Sequence, residues 1–474
     1  MANLFGALDS SLSAMQALQN ALDVVQNNVS NASTPGYANQ TPTFTAEPLE
    51  LSGGRDGGVQ SGPTQSSDNH YADQAVQSQM SMQGNFTAQS TALSSLQSLF
   101  DVTGQTGVIG ALNNLFTSFS AWATTPDSGA TQQSVLSQAS ALAQQFRSAA
   151  SFLSQSTTQL NQQIGSTVQQ VNQLAGQIAT DNATLGQLST PDPSVQANLE
   201  ASLESLSKIA NISVMFQANG TATVLLGGQA ALVDGNQQFA VQANFSGSSS
   251  GGNPNAVPDV QILDSSGNNI TSQISQGTLG GLLNVRNTTL PSLQGDSQQQ
   301  GALNLLAQHV ADRVNSILTG GTTPGGSAGT ALFTYSNASP VDVAATLAVN
   351  PAITPAGLAP ANSNGGNAAA LALANLGDST AAADEINGQT IVQYAASVAS
   401  GVGQQAAQAQ TGQTLHTQLL SQAQAMQTQI SGVSLNAEAA LVLELQQGYD
   451  AAGKMVGVIG SLANTLINMI PTPA

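Results

Sequence analysis

Four kinds of residue in this chain could do chemistry, and the setting of each limits what it can do. Gly325-Gly326-Ser327-Ala328-Gly329 has the G-x-S-x-G spacing of a serine nucleophile. That chemistry needs a strand before the serine and a helix after it, so that a strained turn exposes Oγ. Here Thr319–Pro324 precedes the motif and reads as a loop, so Ser327 is not expected to be catalytic. The histidines His70, His309 and His416 lie far apart, with no neighbour at ligand spacing. Each is expected at the surface or satisfied within a helix rather than as a metal ligand or base. Asp264-Ser265-Ser266-Gly267-Asn268-Asn269 opens like a calcium loop but lacks the acidic ligands and the closing glutamate, so it reads as a turn. Asp450 and Lys454 are four apart on a helical pattern and are spaced for an exposed ion pair. Trp122 reads as a core residue capping a helical layer. Cysteine is absent, which excludes disulfides, thiolate metal sites and cysteine nucleophiles. No catalytic, cofactor-binding or metal site is therefore expected, and the chain does not read as an enzyme.

What remains are the elements themselves. A chain of 474 residues is too long for one ordinary domain, and about two to four are expected. Hydrophobic residues make up 41% but aromatics only 4%, so cores must rest on Leu, Val, Ile and Ala. Charged residues are 7%, against about 25% in an average globular chain, so Gln, Asn, Ser and Thr must supply the polar surface. Six Lys plus Arg against 25 Asp plus Glu give a net charge of −19. No phosphate-binding surface can be assembled from so few cations, so no nucleic acid and no anionic membrane is expected as a partner. The start, Met1-Ala2-Asn3-Leu4-Phe5, lacks the basic, then apolar, pattern of a cleavable signal peptide. The most apolar stretch, Met455–Ile470, contains Ser461, Asn464, Thr465 and Asn468 and is short of the ~20 residues a bilayer needs.

Heptad periodicity runs through both ends. Leu8, Met15, Leu22 and Val29 recur every seven residues, with Leu18, Val25 and Ala32 interleaved and Ser11 as the weak position. This helix should stop before Pro35, where Thr34-Pro35-Gly36-Tyr37 suits a type II turn. At the far end Leu435, Val442, Tyr449, Val456, Ala463 and Ile470 form one register. Leu445, Ala452, Ile459 and Leu466 form the other, with Glu438 as the exception. A third and longer pattern, Thr131–Leu188, predicts a rod-like helix ended by Pro191 and Pro193. Shorter helices are predicted over about 72–100, 107–123, 302–318 and 389–430. Strands are predicted at Ile212–Phe216, at Thr223–Leu226 after an Asn219-Gly220 turn, near Phe239–Phe245 and at Val260–Leu263. Residues 246–258, 319–330 and 357–367 are rich in Gly, Ser, Asn and Pro and read as loops without a core of their own. The fold class is therefore mainly α with a β-rich insertion, in an elongated multi-domain chain.

Neither terminal helix can bury its seam alone, and isolated helices are marginal in water. From periodicity alone, pairing of the two termini to assemble with other copies and an ordinary intramolecular bundle explain the seams equally well.

The ends also carry motifs. Asn27-Asn28-Val29-Ser30-Asn31-Ala32-Ser33-Thr34-Pro35-Gly36-Tyr37 resembles the N-terminal signature of flagellar rod, hook and hook-associated proteins. Ser431-Gly432-Val433-Ser434-Leu435-Asn436-Ala437-Glu438-Ala439-Ala440, followed by Leu445-Gln446-Gln447-Gly448-Tyr449-Asp450, resembles their C-terminal signature. Within that superfamily, the Gln-rich helix through Gln162–Gln177 and Gly277–Arg286 resemble the hook-associated proteins of the hook–filament junction. The resemblance covers most of residues 1–320 and 385–474, and matches poorly over 320–385.

The resemblance implies a structural subunit exported unfolded by the flagellar type III route to the extracellular flagellum, with no cofactor. Expected partners are further copies of itself, the hook protein, the next hook-associated protein and an export chaperone. Hook or distal-rod subunits, which share the ends but are expected to have mostly β middles, are the alternative. A secreted adhesin or enzyme on the same scaffold is the remoter one. The implied organisation is a terminal coiled-coil domain (1–45 with 431–474) and a long-helix rod domain (46–205 with 278–320 and 385–430). A β-rich outer domain (206–277) and a loop-rich, abbreviated insert (321–384) complete it. The assembly interface is expected at Leu8, Met15, Leu18, Leu22, Val25 and Val29, and at Leu435, Val442, Leu445, Tyr449, Val456, Ile459 and Leu466. The family signature falls on Asn28, Asn31, Pro35, Gly36 and Tyr37.

Overall fold

The computed structural model describes residues 2–50, 55–97, 99, 106–188, 192–246, 258–296, 298–336, 338–362 and 366–469. Seam position Ile470, the helix-stopping Pro191 and most of the 246–258 loop lie outside the described residues.

The helices in chain order are α1 (Ala2–Asn31), α2 (His70–Gln97), α3 (Gly107–Thr124), α4 (Gly129–Leu185), α5 (Pro193–Ile209), α6 (Gly277–Asn284), α7 (Leu290–Gln294), α8 (Ala302–Thr319), α9 (Val343–Thr346), α10 (Ala368–Ala374), α11 (Ile391–Ser431) and α12 (Leu435–Asn468). Short antiparallel pairs join β1 (Gln40–Thr41) to β4 (Gln65–Ser66) and β2 (Phe44–Glu50) to β3 (Arg55–Ser61). A four-stranded antiparallel sheet runs in order β5 (Ile212–Phe216), β6 (Ala222–Leu226), β7 (Ala230–Asp234), β8 (Gln237–Gln238). Two further pairs are β9 (Gln242–Asn244) with β10 (Gln261–Leu263), and β11 (Phe333–Thr334) with β12 (Ala348–Val349).

α4 is the spine. Its 57 residues span about 85 Å at the α-helical rise. Of its heptad positions, Ala139, Phe146, Leu153, Leu160, Ile164, Val171, Ile178 and Leu185 are buried. α3, α5 and α6 pack along it, while α2 pairs with α11 on the far side of α5 and α6. That pair is antiparallel, since Asp73 meets Gln427 near one end and Phe86 stacks on His416 further along. α11 starts at a complete capping box of Thr390 and Gln393. Trp122 is fully buried in this core and donates its indole N–H to the Pro126 carbonyl at 3.1 Å.

The structure departs from the sequence expectation in two places. Pro193 does not only end the long helix: it opens α5, with Asp192 capping through a 2.8 Å hydrogen bond from the Ser194 amide. Proline suits a first helical position because the amide it lacks has no intrahelical partner there. The β2–β3 hairpin, on the rod side of the expected boundary at 45, packs instead on α1. Residues 321–384 are loop-rich and share the core of the helices. Leu332, Phe333, Leu347, Leu358, Leu373 and Leu376 are buried in the same cluster as the helices. The β-rich segment likewise shares that core, through Val224, Leu226, Leu232 and Val233.

With few charges available, the chain joins strand to helix by amide clamps. Five asparagines each accept from the N–H and donate to the C=O of one residue: Asn28 on Gln40, Asn172 on Val241, Asn182 on Ala222, Asn287 on Val260 and Asn315 on Phe333. The side-chain amide thus stands in for a neighbouring strand. Asn182 is 2% exposed and also donates to the Gly235 carbonyl at 2.7 Å. Asn182→Ala would strand three backbone groups in the core and should cost about 2–4 kcal/mol, read as a lowered urea midpoint at unchanged slope.

Candidate functional site

The site built by the two ends is a helical pair with a polar joint at its base. α1 and α12 run antiparallel: Asn28 meets Glu438, and Leu18 meets Gly448 ten residues along. Between them Ala21, Val25 and Leu445 are buried, with Leu18, Leu22, Leu441 and Val442 packed around them. The remaining predicted seam positions divide. Leu8, Met15, Tyr449 and Val456 are half-buried and Ile459 is buried, whereas Val29, Leu435 and Leu466 are 43%, 55% and 45% exposed. The seam is closed in its middle and open at both ends of the predicted set. A second apolar stripe on α12 is Met455, Val458, Leu462 and Leu466, of which only Leu466 belongs to the heptad reading. Its spacing of three and four residues puts it on one face of the helix, turned to solvent.

The joint explains the signature residues. Asn28, 1% exposed, accepts from the Tyr37 hydroxyl at 2.9 Å and the Gln40 amide at 3.0 Å, and donates to the Gln40 carbonyl at 2.8 Å and to Glu438 Oε2 at 3.2 Å. Glu438, the seam exception, is therefore buried as the acceptor that ties the two signatures together. Burial first, and then the Glu438 carboxylate, push the Tyr37 phenol up, so it stays a neutral donor. Asn31 accepts from Thr34 Oγ1 at 3.1 Å and holds the end of α1, and Pro35 is exposed. The Tyr37 amide donates to the Thr34 carbonyl at 3.2 Å, with Gly36 at φ +75°, as a type II turn requires. Any Cβ at Gly36 would lie 2.5 Å from the Ala197 carbonyl oxygen, so this turn also seats α1 on α5.

Under the turn lies a cleft of carboxylates where α2, α5 and α11 converge. Gln77 donates to Glu200 at 2.9 Å, and Gln427 donates to Asp73 at 2.8 Å and to Glu204 at 3.2 Å. Burial, then the Asp68 carboxyl, push the Asp73 carboxyl up to about 7. Burial, then Asp73, push Glu200 up to about 8, and burial raises Glu204. His70 lies at the rim, with Nδ1 3.5 Å from Asp68 and 3.9 Å from Asp73. The expectation that His70 has no ligand-spaced neighbour is thus corrected: its neighbours are aspartates, in the order D-x-H-x-x-D, not other histidines.

The other candidates fall where the sequence placed them, with two exceptions. Ser327 sits exposed in a turn closed by Thr323, whose hydroxyl accepts from the Ser327 amide at 3.2 Å. Asp264 accepts from the Ser266 and Asn268 amides at 2.8 Å, the pattern of a side-chain-closed turn. His416 stacks on Phe86 and contacts Gln79. The first exception is His309, half-buried on α8, whose Nε2 is buried without a hydrogen-bond partner and so is neither at the surface nor satisfied. The second is Asp450 and Lys454, which are exposed and make no ion pair with each other. Among the described residues the ion pairs are those of His70 with Asp68 and Asp73, and of Arg313 with Asp384 at 2.6 Å. Among the described residues, no helix is long and apolar enough to cross a membrane.

Comparison with known proteins converges on one family. The family described as flagellar hook-associated protein FlgK helical domain matches residues 93–333, and the flagella basal body rod protein family matches residues 8–37. Flagellar hook-associated protein 1 of Salmonella typhimurium is 24% identical over 72% of this chain, and the match spans 62% of that relative's length. The protein of the same description in Bacillus subtilis is 24% identical over 99% of both chains. The flagellar hook junction protein FlgK of Burkholderia pseudomallei shares the fold, with a TM-score of 0.61 at 18% identity over 76% of this chain and 100% of that one. With half of its length inside the helical-domain family and its first helix inside the rod-protein family, the chain belongs to the flagellar hook-associated protein FlgK family.

Proposed function

We propose that this chain is a non-enzymatic structural subunit of the bacterial flagellum that forms the junction between hook and filament. The observation that carries the reading is the apolar surface left on the α1–α12 pair. The two helices cover each other around Val25 and Leu445, yet leave Val29, Leu435 and the Met455–Leu466 stripe open. Further copies of the chain are the occupant that fits, because Val29 and Leu435 continue the seam that α1 and α12 already share and the Met455–Leu466 stripe offers a second apolar face on the same helix. A contact that does not close on itself then propagates as a helical layer. Residues 1–45 with 431–474 would form the inner layer, and the helical rod, β-rich segment and insert would stand outside it. Hook protein and the next hook-associated protein are the axial neighbours in this reading. Export by the flagellar type III route, with a chaperone on the chain beforehand, brings it outside the cell. The length of α4 weighs against a hook or distal-rod subunit, for which a mostly β middle is implied. Ser327, in its exposed turn, lends nothing to an enzyme reading.

Deleting residues 1–40 is the test. Cells carrying only the truncated chain should attach no filaments, while the purified chain keeps the far-ultraviolet helix signal of α2–α11. Filaments on those cells would overturn the reading.

A further inference from the structure

We propose that Asp68, His70 and Asp73 bind one divalent transition-metal cation of the Zn²⁺ or Mn²⁺ kind at the base of the terminal joint. This inference does not depend on the flagellar reading. The three residues are brought together by the start of α2. Asn69 Oδ1 accepts from the Tyr71 and Ala72 amides at 3.1 and 3.2 Å, which leaves Asp68 just outside the helix and sets His70 and Asp73 three apart on one face. Their ligand atoms all lie within 4.8 Å of one another. An ion bound at about 2.0–2.2 Å needs ligand atoms roughly 3.0–3.5 Å apart, within reach of small side-chain rotations from 3.5 and 3.9 Å.

Asp73 itself points to a ligand. It is 3% exposed, and while Oδ1 accepts from Gln427, Oδ2 has no hydrogen-bond donor and faces His70 Nδ1. A buried carboxylate oxygen without a donor is costly unless a proton or a cation meets it. The His70 ring is stacked on Phe216, centroids 4.1 Å apart and 6° from parallel, which fixes the imidazole plane. The His70 and Asp68 side chains are 54% and 39% exposed, so an ion can enter and keep water in its remaining positions. One imidazole with two carboxylates suits Zn²⁺ or Mn²⁺, whereas Ca²⁺ takes six to eight oxygens.

The test uses the full chain at neutral pH, freed of metal by a chelator and titrated calorimetrically with ZnCl₂, MnCl₂ or CaCl₂. ZnCl₂ or MnCl₂ should bind saturably at one ion per chain and raise the melting temperature. His70→Ala and Asp73→Asn should weaken binding by more than about tenfold, while His416→Ala leaves it unchanged. His70 is exposed, so His70→Ala should fold. Absence of saturable binding by both transition metals, binding undiminished in His70→Ala, or a response to CaCl₂ alone would each overturn the assignment.

Discussion

Replacing Asn28 with alanine is expected to release the terminal helical pair from the body of the protein and abolish function without unfolding the α4 bundle. The residue makes four hydrogen bonds, to Tyr37, to both backbone groups of Gln40 and to Glu438, with all partners buried. Alanine strands them together. Each unsatisfied group costs about 1–3 kcal/mol, partly offset by water entering the joint, so a local loss of about 4 kcal/mol is expected. Opening should be confined to α1, Gln40 and the first turns of α12, because the Val25–Leu445 cluster is small. Hydrogen exchange there should accelerate by about a thousandfold, while α4 amides are unchanged. Asn28→Asp, though isosteric, should do no better: it removes the donor and sets a carboxylate against Glu438. Adding Glu438→Gln to Asn28→Asp returns a donor between the same two positions and should recover part of the loss. Unaltered exchange in Asn28→Ala would refute this account of the joint.

The second large effect is a stability that falls as pH rises. Burial, and then Asp73, hold the Glu200 carboxyl at about 8 in the folded chain, whereas an unfolded glutamate titrates near 4.3. Between those values the folded state keeps a proton that the unfolded state has lost, so the proton favours folding. This contribution is complete below the unfolded pKa and is lost as pH climbs through the folded one. Asp73 and Glu204, also raised, act in the same direction. The depressed Asp192 carboxyl, held down by Ser194, acts oppositely, but only as pH falls through the usual carboxylate range. In chelator, the chain should therefore melt several degrees lower at pH 8 than at pH 5. Glu200→Gln, which keeps the acceptor for Gln77 and never ionises, should remove much of that slope and stabilise the chain at pH 8 by on the order of 3 kcal/mol. An identical slope in the variant would show that Glu200 is not the group responsible.

How far the sequence leads depends on whether the feature is periodic. α4 was legible because its buried positions repeat for eight heptads, and α1 and α12 for the same reason. The β2–β3 hairpin was not: Phe44 is exposed and Pro48 interrupts the strand, so no alternation marks it. α5 was hidden because Pro193 carries two meanings, end of one helix and first residue of the next. The seam residues were legible as apolar, but not which of them close on each other. Ile459 is covered and Leu466, one heptad on, is not. Glu438 was visible only as a flaw in a heptad, because its partner, Asn28, lies 410 residues away. The amide clamps share this property: each Asn meets a strand residue, or the residue just before a strand, at a distance no local pattern records. Asp68, His70 and Asp73 sit within six residues and could have been found by pairing the histidine with carboxylates.

The central claim, a junction between hook and filament, is tested most directly by electron microscopy of cells with an in-frame deletion of the gene. The account predicts intact hooks that carry no filaments, with flagellin lost to the medium. Cells without hooks, or cells with normal filaments, would contradict it.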